Sequence, residues 1–420
     1  MIRRAVLMVV LAACATDPRP ETSGLPPGVW ELDSDHAGID VHLVADAGTV
    51  WFAYSRPSSG VTSAWLVHTS PEGERLHGPI PVFTDAQAGG LALAVTDTTL
   101  AVAFRSYEDS LLSPAVRVFD RDGMPLAPSV QPIDAVLAGT KVGAGTVALT
   151  ATSGGRTRLA LAPLVTTAGD VAVVDLDEMG RPVGDVVPMG THDEGTAASL
   201  SIATMGDGST LVAWDHVYDN CTGPVPTAFT LTAPVDADRN IGAMLSVRDL
   251  PERDELRPSL ASAGGATYVA WEADWYMGAS LARYPDLENV AMFGVDGVSN
   301  LTPKIALADA DHGALAWHAI DSANGSIVVA PFTYEAGEIV VGEPRVLPHV
   351  VEPASRFIAD IVHVEDARYV VGWTEGGDVP HVYAMQIDFD RLSAVTAPTS
   401  TLSVPRSEPP RTRRSNRCSH

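Results

Sequence analysis

The sequence has little of what several protein classes need. Aromatic residues make up 6% and charged residues 19% of the 420 residues, and lysine occurs only at Lys141 and Lys304. Past the N-terminus, no apolar run approaches the roughly eighteen residues of a membrane-spanning helix. The formal net charge of −25 repels phosphates, so we expect no nucleic-acid partner.

Recognisable catalytic motifs are also missing. The chain contains no Gly-x-Ser-x-Gly elbow, no phosphate-binding loop, no His-Glu-x-x-His and no Cys-x-x-Cys. The sialidase box, the kelch pattern and the paired WD40 signature are absent too. Aspartate-rich turns such as FDRDG at 119–123 offer too few oxygens for calcium, which needs about six. We therefore assign no catalytic residue, no metal and no cofactor.

Glycine and proline are abundant, with 36 and 31 residues. This composition is typical of many short strands joined by turns. The clearest repeat, RPSLASAGGATYVAWEAD, runs from Arg257 to Asp274 and predicts a small-residue strand, a Gly-Gly turn and an apolar strand. Behind it, 289–295 predicts a third strand and 298–302 a fourth. Four short strands per repeat are typical of a propeller blade.

In most copies of the repeat, the apolar second strand ends on an aromatic residue, whose ring marks the copy. The marks are Tyr54, Phe104, Trp214, Trp271, Trp317 and Trp373, with Ala162 at the equivalent place in a degenerate copy. They lie about 46 to 58 residues apart. We expect these rings to be core residues that fill the gaps between neighbouring sheets. The predicted fold is an all-β, seven-bladed β-propeller of four-stranded antiparallel blades, with six or eight blades as alternatives.

Two copies of the repeat carry a resemblance. RPSLASAGGATYVAWEAD and DGSTLVAWDH resemble the repeats of secreted bacterial propellers and lipoproteins, which follow P-x-hydrophobic-A-x-Gly-x-Tyr-hydrophobic-Val-Trp-x-Asp. The resemblance covers roughly residues 29–404 and is good around Trp214 and Trp271. It implies a propeller fold and an envelope or surface location, and it transfers no catalytic residue.

The first fourteen residues resemble a bacterial lipoprotein signal. Arg3 and Arg4 precede a short apolar stretch, and small residues follow directly before Cys14. The resemblance implies that residues 1–13 are removed and that lipidated Cys14 anchors the chain in the bacterial cell envelope. An ordinary secretory signal is the alternative. Ala15 stands where an aspartate would favour the inner membrane, so we expect the outer membrane or the cell surface.

The remaining segments outside the repeats divide simply. Residues 14–28 predict a flexible tether, residues 29–404 the propeller, and residues 405–420 a disordered, arginine-rich tail. Either Val29 to Leu32 or Ser393 to Val404 could supply the outer strand of the last blade and close the ring. Cys221 and Cys418 could form a disulfide bond in an oxidising compartment, with two free thiols as the alternative.

Residues just after the ring marks should converge on one rim, because the loops from second to third strands share a face. The candidate ligand-binding residues there are Arg105, Asp215, His216, Glu272, His318 and Glu375. Asp215 and Glu272 occupy equivalent positions in neighbouring blades, and paired carboxylates near a histidine can support acid–base hydrolysis. The repeat alone, however, also places two acids at matching positions.

Taken as a sequence, the chain predicts a lipid-anchored envelope protein whose propeller is a non-catalytic binding or scaffolding module. Its expected partners are the membrane, through Cys14, and a protein or glycan ligand. An envelope polysaccharide hydrolase or lyase that uses the rim carboxylates is one alternative. A structural element of a surface assembly is the other.

Overall fold

The computed structural model describes residues 24–392, apart from 35, 59–60, 85–87, 109–110, 128–130, 133–135, 138–139, 142–143, 164–170, 190–195, 218–227, 248–254, 274–277, 321–324, 351–354 and 377–378. Its strands form seven antiparallel sheets of four or five strands and one short extra hairpin. The helical segments within these ranges are the 3-10 turn Ser153–Gly155 and the four-residue helix Phe389–Leu392. None of them is long and apolar enough to cross a membrane. The prediction of a seven-bladed, all-β propeller is confirmed.

Each blade is a meander whose strands follow one another outward from the axis. From first to fourth, the strands of blade 1 are Ile39–Asp46, Thr49–Ser58, Val61–Thr69 and Arg75–Phe83; those of blade 2 are Ala88–Val95, Thr99–Glu108, Leu111–Asp120 and Gln131–Pro132; and those of blade 3 are Ala144–Ala151, Thr157–Pro163, Ala172–Leu176 and Pro182–Pro188. Blade 4 consists of Thr196–Thr204, Thr210–Val217, Ala228–Val235 and Leu245–Val247, and blade 5 of Glu255–Ala263, Ala266–Ala273, Gly278–Tyr284 and Asp286–Phe293. Blade 6 consists of Ser299–Leu307, His312–Ile320, Gly325–Glu335 and Glu338–Val341, with Arg345–Val346 beside the third strand, and blade 7 of Ser355–Glu365, Arg368–Gly376, His381–Asp388 and Val29–Glu31. The extra hairpin is Val136–Leu137 with Thr140–Lys141.

The ring is closed by the N-terminal strand. Val29–Glu31 pairs antiparallel with His381–Asp388, so it forms the outermost strand of blade 7. The first strand of blade 7 also contacts the first strand of blade 1, as the first strands of all other neighbours do. Of the two closing strands that the sequence allowed, Val29 to Leu32 is therefore the one used. Ser393 to Val404 lies outside the described residues.

The hydrophobic core is divided into seven clusters, one at each seam between neighbouring blades. All six rings that mark the repeat are buried, as expected. Each ring faces the preceding blade: Trp271, for example, packs in the seam between blades 4 and 5, and Trp317 in the seam between blades 5 and 6. The sheets are thus held together face to face by these side chains.

The degenerate copy is blade 3, and its mark is one residue away from the predicted position. Leu159 and Leu161 face blade 2, as the rings of other blades face their predecessors. Ala160 and Ala162 point the opposite way, into the seam with blade 4. Because side chains alternate along a strand, a shift of one residue reverses the face. Ala162 therefore does not take the place of the ring; Leu161 does.

Blade 5 also differs from the predicted strand assignment. Its third strand is Gly278–Tyr284, and the predicted third strand, 289–295, overlaps the fourth strand. The predicted fourth strand, 298–302, belongs to the first strand of blade 6. Gly278–Tyr284 was missed because most of its residues are small and it is buried on both faces, so it lacks the alternation that identifies a strand.

The propeller has two faces with different connections. The tight turns from first to second and from third to fourth strands lie together on one face, which we call the turn face. The connections from second to third strands and from blade to blade lie on the other, which we call the loop face. The rim predicted from the sequence is on the loop face.

One seam contains a buried ion pair among its apolar side chains. Arg158 of blade 3 donates from Nε to Asp175 Oδ1 at 2.6 Å and from Nη2 to Asp175 Oδ2 at 3.2 Å. Its Nη1 donates to Thr210 Oγ1 and to the carbonyl oxygen of Val235, both in blade 4. Every nitrogen of the guanidinium therefore has an acceptor, and the pair joins two blades.

Replacement of Asp175 by asparagine should destabilise the propeller strongly. The variant leaves the Arg158 guanidinium buried without its counter-charge, which costs about 3–5 kcal/mol. Arg181→Gln is the control, because the Arg181–Asp177 pair has a side chain 64% exposed and should contribute less than about 1 kcal/mol. The unfolding midpoint in urea measures both. Equal midpoints for the two variants would contradict the role assigned to the buried pair.

Candidate functional site

The predicted rim residues lie at the loop-face ends of second strands. Asp215, Glu272 and Glu375 are all buried there, not displayed to solvent. Most of the loops that follow them lie outside the described residues, so ligand binding by the rim stays a prediction. The described strand ends nevertheless give the chemistry of each carboxylate.

Asp215 bridges two first strands. Its Oδ1 accepts the backbone N–H of Ser199 in its own blade at 2.5 Å, and its Oδ2 lies 3.5 Å from the backbone nitrogen of Arg257 in blade 5. Both amides belong to residues at β-bulges, where the ladder leaves an N–H without a strand partner. The carboxylate supplies the missing acceptor.

Glu272 repeats this arrangement one seam further on. Its Oε2 accepts the backbone N–H of Thr302 in blade 6 at 3.3 Å and the Nη1 donor of Arg257 at 2.8 Å. Burial raises the pKa of Glu272 above its ordinary value of 4.5, and the charge of Asp215 adds to the effect, whereas Arg257 and the Thr302 amide oppose it. Asp215 and Glu272 therefore both contact Arg257, the first at its backbone nitrogen and the second at its guanidinium.

Glu375 is held by a different set of donors. Its Oε1 accepts the backbone N–H of Val350 at 2.9 Å, and its Oε2 accepts the indole N–H of Trp373 at 2.9 Å. Trp373, the aromatic residue that marks the repeat in blade 7, is therefore also a hydrogen-bond donor. The buried carboxylate is therefore held by donors from within the protein.

The remaining predicted residues are Arg105 in blade 2, His216 in blade 4 and His318 in blade 6. Arg105 is half-buried beside Gly90 of its own blade, and His318 is buried against Gly325. His216 lies in the second strand of blade 4, and its side chain is outside the described part, as are Cys14, Cys221 and Cys418. Among the described residues, no group of three or more His, Cys, Asp or Glu is placed to hold a metal ion.

Sequence reasoning missed a cluster on the first strands of blades 7 and 1. His42 lies between Asp40, with Nε2 to Oδ1 at 3.3 Å, and Asp360, with Nδ1 to Oδ2 at 3.8 Å. Asp40 Oδ2 accepts the backbone N–H of Gly90 at 3.1 Å, and Asp360 Oδ2 accepts that of Leu43 at 2.9 Å. Burial raises the pKa of Asp40, but His42 and the amides outweigh it and hold the pKa below its ordinary 3.8.

The same geometry therefore recurs at three seams. Gly90, Arg257 and Thr302 each have a positive φ, of 59°, 53° and 48°, at the bulge of a first strand. In each case a carboxylate of the preceding blade lies within 3.5 Å of the backbone nitrogen of that residue. For two of them the sequence carried a signal of the bulge, because a proline, which donates no hydrogen bond to the ladder, follows directly in Arg257-Pro258 and Thr302-Pro303.

A cavity lies on the turn face, opposite the predicted rim. It is a groove of about 670 Å³ between the turns of blades 4 and 5. It is lined mainly by Met205, Asp207, Pro234, Asp236, Tyr284 and Pro285. The turns approach so closely that a Cβ on Gly206 would lie 2.8 Å from the Cα of Gly265, so this contact requires glycine.

The groove is acidic and rich in acceptors. Asp207 Oδ1 accepts the N–H and the hydroxyl of Ser209, and Asp236 accepts the N–H and side-chain amide of Asn240. These hydrogen bonds lower the pKa of both carboxyls below 3.8. Burial, with the charge of Asp207, raises the pKa of Tyr284, so its hydroxyl stays protonated. The groove therefore offers charged acceptors beside one phenolic donor.

Comparison with known proteins gives the fold and no family. No protein-family model matches the chain, and no curated protein matches it. A solved protein of unknown function from Dyadobacter fermentans DSM 18053 is similar, with a TM-score of 0.52, 10% identity, and coverage of 86% of this chain and 99% of that chain. The resemblance to secreted bacterial propeller repeats stays a prediction.

Two polysaccharide lyases are also similar in structure. A PL25 ulvan lyase bound to -[GlcA(1-4)Rha3S]- has a TM-score of 0.55 and 10% identity, over 90% of this chain and 98% of that chain. The polysaccharide lyase Uly1 has a TM-score of 0.50 and 9% identity, over 85% and 91%. At this identity the likeness shows the propeller fold alone.

Asp215→Ala should destabilise the chain, because the partly buried amide of Ser199 loses its acceptor. The expected loss is about 1–3 kcal/mol in the free energy of unfolding. Asp122→Ala, at an exposed turn of blade 2, should change it by less than about 0.5 kcal/mol. Chemical denaturation followed by circular dichroism measures both variants. A fully stable Asp215→Ala protein would show that the carboxylate is not structural.

Proposed function

We propose that the chain is a lipid-anchored envelope protein whose propeller binds a neutral glycan, without cleaving it, in the groove between blades 4 and 5. The lining of the groove carries this proposal. Sugar hydroxyls donate readily to carboxylates such as those of Asp207 and Asp236, and they accept from the Tyr284 hydroxyl. The ring of Tyr284 and the side chains of Pro285 and Met205 offer apolar surface for the C–H faces of a sugar.

The charge of the groove favours a neutral ligand. Asp207 and Asp236 are ionised at neutral pH because their pKa values are lowered, and no basic residue is among the described lining residues. A sulfated or uronate-rich chain would be repelled. The ligand therefore differs in charge from the saccharide named for the ulvan lyase.

The pKa values and hydrogen bonds of the carboxylates support binding without cleavage. Those of the groove have lowered pKa values, whereas a general acid needs a raised one. Asp215 and Glu375 on the loop face accept main-chain hydrogen bonds from within the protein. Neither set is arranged as a free acid–base pair.

A second candidate is cleavage of a polysaccharide at the loop face, and one observation favours it. Glu272 combines a raised pKa with an ion pair to Arg257, whose side chain is 45% exposed. A carboxyl with a raised pKa suits a general acid, and a guanidinium suits an acidic sugar. The polysaccharide lyases of similar fold make this the alternative to test.

Titration with neutral hexasaccharides of glucose and N-acetylglucosamine tests the groove. We expect saturable binding that is weakened about tenfold, or roughly 1.4 kcal/mol, by Tyr284→Ala and by Asp207→Asn. Asp122→Asn changes an exposed aspartate in the turn after the third strand of blade 2, and as the control it should bind normally. Binding that none of these variants alters would refute the groove, and the appearance of shortened saccharides would favour the enzyme.

Cys14→Ser tests the anchor separately. The variant should move from the membrane pellet to the soluble fraction, because the lipid would be attached through this thiol. Cys418→Ser retains Cys14 and should sediment with membranes like the unaltered chain. Immunoblots of the fractions measure the distribution. Membrane association that survives the loss of Cys14 would refute lipidation at this residue.

A further inference from the structure

A second, smaller cavity lies at the seam where the ring closes. It has a volume of about 280 Å³ and lies between the residues that follow the closing strand and the third and fourth strands of blade 1. The side chains that matter are those of Asp33, His36, Arg56, Trp65, Arg75 and Pro79. Its size is near the lower limit of about 300 Å³ for small-molecule pockets.

The charge of this pocket is opposite to that of the protein. The chain carries a net charge of −25, yet among the described lining residues two arginines and a histidine face one carboxylate. Asp33 is buried and can neutralise only one of the arginines. The pocket therefore keeps an excess of positive charge and of hydrogen-bond donors, which favours an anionic ligand.

Arg56 is held in place before any ligand arrives. Its guanidinium carbon lies 3.8 Å from the ring centroid of Trp65, and its Nη2 donates to the Tyr54 hydroxyl at 3.0 Å and pairs with Asp33. The Tyr54 hydroxyl in turn donates to Asp33 Oδ2 at 3.0 Å. In the described part of the chain, Nη2 is the only nitrogen of this guanidinium with a partner, so Nη1 keeps its donors for a ligand.

A further arginine and a histidine are tethered at the same pocket. Arg75 Nη2 donates to the carbonyl oxygen of Leu32 at 2.7 Å, which leaves its other guanidinium nitrogens without a described acceptor. His36 Nδ1 lies 3.3 Å from Asp33 Oδ1, so the pairing with this carboxylate engages only one ring nitrogen. Donors from three side chains thus line one cavity, each fixed through a second contact.

We propose that this pocket binds a carboxylate carried on a hydroxylated ring of monosaccharide size, that is, a uronate. A guanidinium fork recognises a carboxylate through paired, charge-assisted hydrogen bonds. Pro79 and Trp65 supply apolar surface for the sugar ring. The site is separate from the groove between blades 4 and 5, and its ligand has the opposite charge preference.

Calorimetric titration of the full chain with glucuronate tests this assignment. Binding should be saturable and weaker in high salt, and glucose should not compete. Arg75→Gln and His36→Gln, at exposed side chains, should each weaken binding about tenfold. Arg156→Gln removes the same charge from an exposed turn of blade 3 and should have no effect.

A second titration with oligogalacturonate distinguishes a free sugar acid from a residue of an acidic glycan. Tighter binding of the oligosaccharide, still lost in Arg75→Gln, assigns the pocket to a glycan chain. Equal binding of glucose and glucuronate overturns the proposal, as does glucuronate binding that both pocket variants leave unchanged. Neither result bears on the neutral hexasaccharides, so the two sites are judged independently.

Discussion

The constraint that organises this protein is the inner edge of each blade. The first strand of a blade has a sheet partner on one side only, and its other edge faces the axis, where N–H groups along the free edge and at bulges lack strand acceptors. Side chains of the preceding blade supply those acceptors: Asp360 for Leu43, Asp40 for Gly90, Ser201 for Leu260 and Glu272 for Thr302. These hydrogen bonds link neighbouring sheets across four of the seven seams.

This constraint determines what the carboxylates near the axis do. Asp215 and Glu272 belong to the group that satisfies bulge amides, which explains why acids recur at matching positions without a shared reaction. A non-glycine residue with positive φ is strained, and the carboxylate of the neighbouring blade helps to hold Arg257 and Thr302 in that conformation. Burial raises the pKa of Glu272, and the interactions with His42 and the backbone amides lower that of Asp40.

The two cavities described above lie on parts of the surface that the hydrogen bonds between blades do not occupy. The turn-face groove forms where the turns of blades 4 and 5 meet, and its acids are held by their own turns. The smaller cavity, lined by Arg56 and Arg75, exists only because the N-terminal strand closes the propeller and places Asp33 and His36 beside Arg56. One acidic protein thus carries two cavities of opposite charge, whose ligands should not compete.

The sequence by itself determined the architecture, because the repeat is a local pattern. Small-residue strands, short turns and the aromatic residues from Tyr54 to Trp373 recur at blade length, and each aromatic side chain needs a neighbouring sheet to cover it. Only the tertiary structure decided the rest. The face of Leu161, the strand Gly278–Tyr284 and the partners of Asp40 and Arg56 depend on which blades come together. Contacts between residues distant in the chain leave no periodic signal, so the seams and cavities could not be predicted from the residues in order.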